Sequence, residues 1–97
     1  PVEAPSTTIA DGIGVRVPVS EAVESMASTV DEVTLVSDQE MRTWMRRLFK
    51  DAGIVIEPAG AAGLAAIGRA SHEWEGSRVA TILTGNLTEQ QLRDWLY

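Results

Sequence analysis

Apolar residues recur at Met41, Trp44, Met45, Leu48, Phe49 and Ala52, with polar and charged residues between them. Spacings of three and four place these side chains on one face of a helix. Ser37 stands just before this stretch, and Glu40 lies three residues beyond it. That is the pattern of a capping box, in which serine hydroxyl and glutamate carboxylate satisfy reciprocal backbone N–H groups. Gly53 is placed to end the helix in a left-handed cap. A second box, Thr88 with Gln91, predicts a last helix running to about Leu96. In SEAVES, Ala22, Val23 and Met26 share a face, which predicts a helix over about Pro18–Thr29. The small-residue stretch GAAGLAAIGRA supplies about three more helical turns.

The remaining apolar positions follow another rhythm. Glu32–Val36 (EVTLV) and Arg78–Leu83 (RVATIL) are β-branched runs and predict strands. Ile9–Ala10 predicts a short strand stopped by Asp11-Gly12, and Ile54–Ile56 an extended piece ending at Glu57-Pro58. The order is strand, helix, strand, helix, extended piece, helix, strand, helix. Strands separated by helices predict an α/β fold, a parallel sheet with flanking helices. In such sheets ligands sit beyond the carboxyl ends of the strands. Three segments occupy such ends: Asp11-Gly12, Glu57-Pro58 and Thr84-Gly85-Asn86. Residues 1–8 (PVEAPSTT) read as an irregular lead-in.

Composition changes the picture by exclusion. With 97 residues and 44% hydrophobic content, the chain supports one small domain or part of a larger one. There is no cysteine, so disulfides and thiolate metal sites are ruled out. A net charge of −6 disfavours nucleic acid, whose phosphates need basic residues. Arg42, Arg46, Arg47 and Lys50 lie at helical spacing and read as a solvated helix face. No apolar run is long enough to span a bilayer and no leader is seen, so the cytoplasm is the expected compartment.

Candidate chemistry is sparse. His72, the single histidine, lies in RASHEWEGS among Ser71, Glu73 and Glu75, without a metal-ligand partner beyond Glu75. No serine–histidine–aspartate set, G-x-G-x-x-G loop or Walker loop is present. Glu57 reads as a helix-start acid, or as a part-buried carboxylate beside a helix whose small residues permit close approach. Thr84 and Asn86 read as an ordinary strand-to-helix turn, or as a hydroxyl and an amide at a strand end.

Four segments in order carry a resemblance: TIADGI at Thr8–Ile13, DEVTLVSDQEM at Asp31–Met41, GIVIEPAGAAGLAA at Gly53–Ala66 and VATILTGN at Val79–Asn86. Together they resemble the C-terminal stretch of the threonine dehydratase and serine racemase branch of pyridoxal-phosphate enzymes, the tryptophan-synthase-β-like fold type II. The resemblance implies that the chain is the C-terminal part of the cofactor-binding domain of such a lyase. It implies that Thr84 offers a hydroxyl to the pyridine nitrogen of pyridoxal 5'-phosphate and that Glu57 lies beside the cofactor. Gly12 would line the pocket with its backbone, and Gly85 and Asn86 would complete its wall. TGN is one glycine shorter than the family's commoner S-G-G-N.

The Schiff-base lysine of S-x-K-x-R and the Gly-rich phosphate loop belong upstream in that family. Lys50, the single lysine here, lacks a serine two residues before it and fits a helix C-terminal cation. No catalytic residue and no metal ligand is therefore expected in these 97 residues. The chain alone is expected to be inactive and not to hold the cofactor. Its partners would be the rest of the same enzyme, a hydroxyamino-acid substrate and further copies in a homo-oligomer. Two rival readings are a stand-alone α/β module that binds an amino acid, and a non-catalytic subunit paired with a lysine-bearing chain.

Overall fold

Helix formation follows the caps closely. In the computed structural model, which describes residues 6–97, Ser37 accepts the Glu40 N–H while the Glu40 carboxylate accepts the Ser37 N–H. Between this box and Gly53, in the left-handed conformation at φ 67°, runs a helix over Asp38–Ala52. A helix over Ser20–Thr29 (α1) precedes it, so the Asp38–Ala52 helix is α2. Pro58 opens α3, Pro58–Arg69, where its missing N–H costs nothing. The second box, Thr88 with Gln91, opens α4, Glu89–Trp95.

Packing is concentrated between α2 and α3. Met41 and Met45 of α2 meet Ala61 and Ala65 of α3, with Ala10 and Ile56 closing the buried cluster. The small residues let the helices approach: a Cβ on Gly68 would lie 2.8 Å from Cε2 of Trp44. Arg47 lies over the Trp44 ring at 4.5 Å. The end of α4 closes on α2 through an Arg46 Nε–H bond to the Trp95 carbonyl (2.8 Å) and an edge-to-face contact of Phe49 with Tyr97. Arg46, Arg47 and Lys50 of the expected solvated basic face are exposed and Arg42 is part-buried, while Arg46 also reaches the Trp95 carbonyl and Arg47 the Trp44 ring.

One expectation is overturned. Among the described residues there are four helices and no strand, so the predicted parallel sheet with flanking helices is absent. Ile9–Ala10 leads into a turn, and Glu32–Val36, Ile54–Ile56 and Arg78–Leu83 run without a ladder. The physical reason lies in pairing. A strand exists through inter-strand N–H···O=C bonds to a neighbour about 4.8 Å away, and here one cross-segment backbone bond, Glu57 N–H to Thr84 O at 3.2 Å, lies just past the ends of two of these segments. Many of their apolar side chains accordingly face outward, with Val33 69%, Leu35 82% and Ile82 81% exposed.

The shape agrees with this partial burial. The radius of gyration is 14.7 Å, against about 12.5 Å for a compact domain of this length. The thickness through the thinnest direction is 17 Å. Among the described residues, no helix is long and apolar enough to cross a membrane.

Candidate functional site

The start of α3 gathers the segments that the sequence singles out. Glu57 occupies the N-cap position, yet its side chain makes no capping hydrogen bond. The carboxylate is left for other work, and the residue is half-buried. On one side stands Gly12, where a Cβ would come within 3.2 Å of Ala59 Cβ and 3.6 Å of Glu57 Oε1. On the other stands Gly85, with φ 75°, where a Cβ would lie 2.5 Å from Glu57 Oε1 and closer still to its Cγ. Both glycines are needed there. Gly85 adopts a backbone conformation that side chains resist, and a β-carbon there would collide with the Glu57 side chain; at Gly12 it would press on Ala59.

Thr84 joins by its backbone and hydroxyl. Its carbonyl accepts the Glu57 N–H. Gly60 lies so close that a Cβ on it would stand 2.7 Å from Thr84 N and 3.1 Å from Thr84 Oγ1. Gly63 meets Thr81 in the same way. The first two turns of α3 are therefore seated directly on the 81–84 segment. Asn86 is adjacent in the chain, but its side-chain oxygen accepts the Leu87 N–H at 2.8 Å. That bond shapes the turn before α4. Thr84, Gly85 and Asn86 are exposed.

Of the five candidate residues, then, Gly12, Glu57 and Gly85 converge, Thr84 is stitched to the same helix end, and Asn86 serves the local turn. Lys50 lies exposed in the last turn of α2, and His72 in an exposed turn after α3. Among the described residues no group of three His, Asp or Glu stands ready to hold a metal ion.

Two features of the site escape sequence reading. Ala59 and Gly60 make the close approaches that hold the Gly12 turn and Thr84 against α3; the small-residue composition of EPAGAAG was their only signal. Asp38 bonds Thr8 Oγ1 at 2.5 Å and the Ile9 N–H at 3.2 Å, a link across some thirty residues that no local pattern announces. What the arrangement offers chemically is a half-buried carboxylate flanked by surfaces without side chains, beside an exposed hydroxyl.

Comparison with known proteins bears on the same residues. The family described as pyridoxal-phosphate dependent enzyme matches residues 1–85. A catabolic L-threonine dehydratase, TdcB, of Staphylococcus aureus strain N315 is 40% identical over 82 residues, covering 81% of this chain and 24% of that protein. Its counterpart in strain USA300 is 38% identical over the same share. The chain thus spans about a quarter of the length of these curated relatives. No solved structure matches significantly.

Proposed function

The chain belongs to the pyridoxal-phosphate dependent enzyme family, and from that premise we propose that it is the C-terminal part of a dehydratase-like lyase. Such an enzyme deaminates a hydroxyamino acid, threonine or serine, to a keto acid and ammonia. The observation that carries the reading is the convergence of Gly12, Glu57 and Gly85 at the start of α3. Gly85 leaves the space that the Glu57 side chain occupies, and Gly12 brings bare backbone to the same carboxylate. A half-buried carboxylate, an exposed hydroxyl and bare backbone side by side are groups that suit the cofactor, and they support the reading.

When bound, pyridoxal phosphate supplies the electron sink for chemistry at the substrate's α-carbon. The chain's own residues would orient it. Gly12 and Gly85 would line the pocket with their backbones, and Asn86 would help shape the wall. Glu57 would sit beside the ring with a carboxylate that capping does not consume. Thr84 would offer a neutral hydroxyl to the pyridine nitrogen. A hydroxyl does not force that nitrogen to be protonated as an aspartate would, and this suits β-elimination. The lysine that holds the cofactor, and the loop that holds its phosphate, would come from polypeptide outside these 97 residues. Turnover by the chain alone is not expected.

A segment exchange tests this. The matched region of the Staphylococcus aureus threonine dehydratase is replaced by this chain, and keto-acid release is measured with threonine and with serine. Activity with at least one is expected, whereas the 97-residue chain alone should release none. A folded, cofactor-loaded exchange enzyme that releases keto acid from neither substrate would sink the reading. Heat from amino-acid binding to the chain alone, without cofactor, would favour a stand-alone binding module instead.

A further inference from the structure

The Gly12 turn is closed by its sequence neighbours but anchored by a distant residue. Gly14 and Ile13 donate to the Ala10 carbonyl, closing a tight turn over residues 10–14. The base of that turn is tied elsewhere. The Asp38 carboxylate accepts from Thr8 Oγ1 with one oxygen (2.5 Å) and from the Ile9 N–H with the other (3.2 Å). Thr8 Oγ1 in turn accepts the Ala10 N–H at 3.2 Å. Asp38, Thr8 and Ile9 are all at least partly buried. Ala10 is 1% exposed and belongs to the core. One carboxylate thereby fixes three successive residues before the turn, and a charged acceptor makes both its bonds strong.

We propose that Asp38 is a positioning residue of the candidate site. Acting through Thr8 and Ile9, it holds the Gly12 turn against Ala59 and Glu57 at the start of α3, and so places the backbone wall that the cofactor would meet. This rests on the cofactor reading above. Asp38 belongs to the first turn of α2, so the helix that builds the core also gauges the site. A backbone wall has no side chain to adjust its reach. Its placement must come from whatever anchors it, and small misplacements of binding groups are costly.

The test separates position from plain stability. In the exchange enzyme, Asp38→Asn and Thr8→Val should each raise the dissociation constant for pyridoxal 5'-phosphate roughly tenfold, the range seen when a supporting bond behind a ligand-holding group is lost. Thr8→Ser, which keeps the hydroxyl, should stay near the parent. Ser37→Ala removes the cap of the same helix end without touching the Gly12 turn, and should leave cofactor affinity unchanged while lowering stability. Equal affinity loss in Ser37→Ala and Asp38→Asn would overturn the proposal, because the effect would then be that of a weakened helix. In the 97-residue chain, amide exchange at Ile9 and Gly14 should speed up in Asp38→Asn and not in Ser37→Ala. Unchanged exchange overturns the clamp whatever the cofactor does. Failure of the parent exchange enzyme to take up cofactor would instead count against the reading on which the role depends.

Discussion

The α2·α3 pair and helix α1 are made from similar material and end differently. Each of α1, α2 and α3 has apolar side chains, but the buried cluster draws on α2 and α3 and on none of α1. Val23 and Met26, the stripe that predicts α1, are 37% and 48% exposed. The difference is the partner. α2 brings long, adaptable Met and Trp side chains, and α3 brings glycines and alanines that let them in. Complementary size turns two amphipathic helices into a core, while α1 has no such surface opposite it among the described residues. A hydrophobic stripe announces a helix; only its counterpart makes it stabilising.

The largest expected effect tests that contrast directly. Met45 is 1% exposed between the helices, so Met45→Ala should cost about 2–5 kcal/mol, the range for a buried truncation that leaves a cavity. Met26→Ala in α1 should stay within about 0.5 kcal/mol, as exposed substitutions do. Denaturant unfolding followed by helix signal reads both. Comparable losses would mean that α1 packs in solution, and the contrast between the two regions would fall.

A smaller effect probes how closely the pair must approach. By helix propensity, Gly68→Ala within α3 should gain about 0.5–1 kcal/mol. The added Cβ would fall on the Trp44 ring, however, at 2.8 Å from Cε2 and nearer to another ring atom. Overpacking of this kind costs about 1–3 kcal/mol. A net destabilisation of about 1 kcal/mol is expected. A stabilised variant would show that the spacing of α2 and α3 is set elsewhere.

What the sequence reveals divides along the same line. The caps of α2 and α4 are legible to the residue, because a capping box is a contact between residues three apart. The start of α1 is less so: the helix begins at Ser20, two residues after the expected Pro18, without a side-chain cap. The sheet is misread for a related reason. The β-branched runs at Glu32–Val36 and Arg78–Leu83 satisfy strand propensity, but propensity describes a fit to a pleated, paired surface. Pairing is non-local, and the single bond from Glu57 N–H to Thr84 O does not make a ladder. The candidate site is legible in its members Gly12, Glu57 and Gly85 and illegible in its supports. Thr8 and Asp38 lie 30 residues apart, beyond any period.

The Arg69–Glu40 link gives the smallest effect and the finest test of how the packed pair is joined to its open flank. Arg69 ends α3 and holds the Glu40 carboxylate with Nε (2.8 Å) and NH2 (2.5 Å), while NH1 donates to the Leu35 carbonyl (2.6 Å). One guanidinium thereby fastens α3, the α2 cap and the exposed 32–36 run. Its hydrogen bonds first, and then the bond from the Ser37 N–H, bring the Glu40 carboxyl from its ordinary 4.5 down to about 2. The folded form therefore binds this proton more weakly than the unfolded form does. Stability from the contact is complete above pH 4.5 and is lost as pH falls through about 2. Glu40→Gln removes the charge at every pH, and the other carboxylates titrate alike in both proteins. The difference in thermal midpoint between parent and Glu40→Gln should accordingly be constant at neutral pH and shrink between pH 4.5 and 2. Both partners are substantially exposed, Arg69 at 49% and Glu40 at 31% of the side chain, so added salt should shrink it too. A difference independent of pH and salt would assign the contact to capping geometry alone. The flank would then be fastened by the Leu35 carbonyl bond, without help from charge.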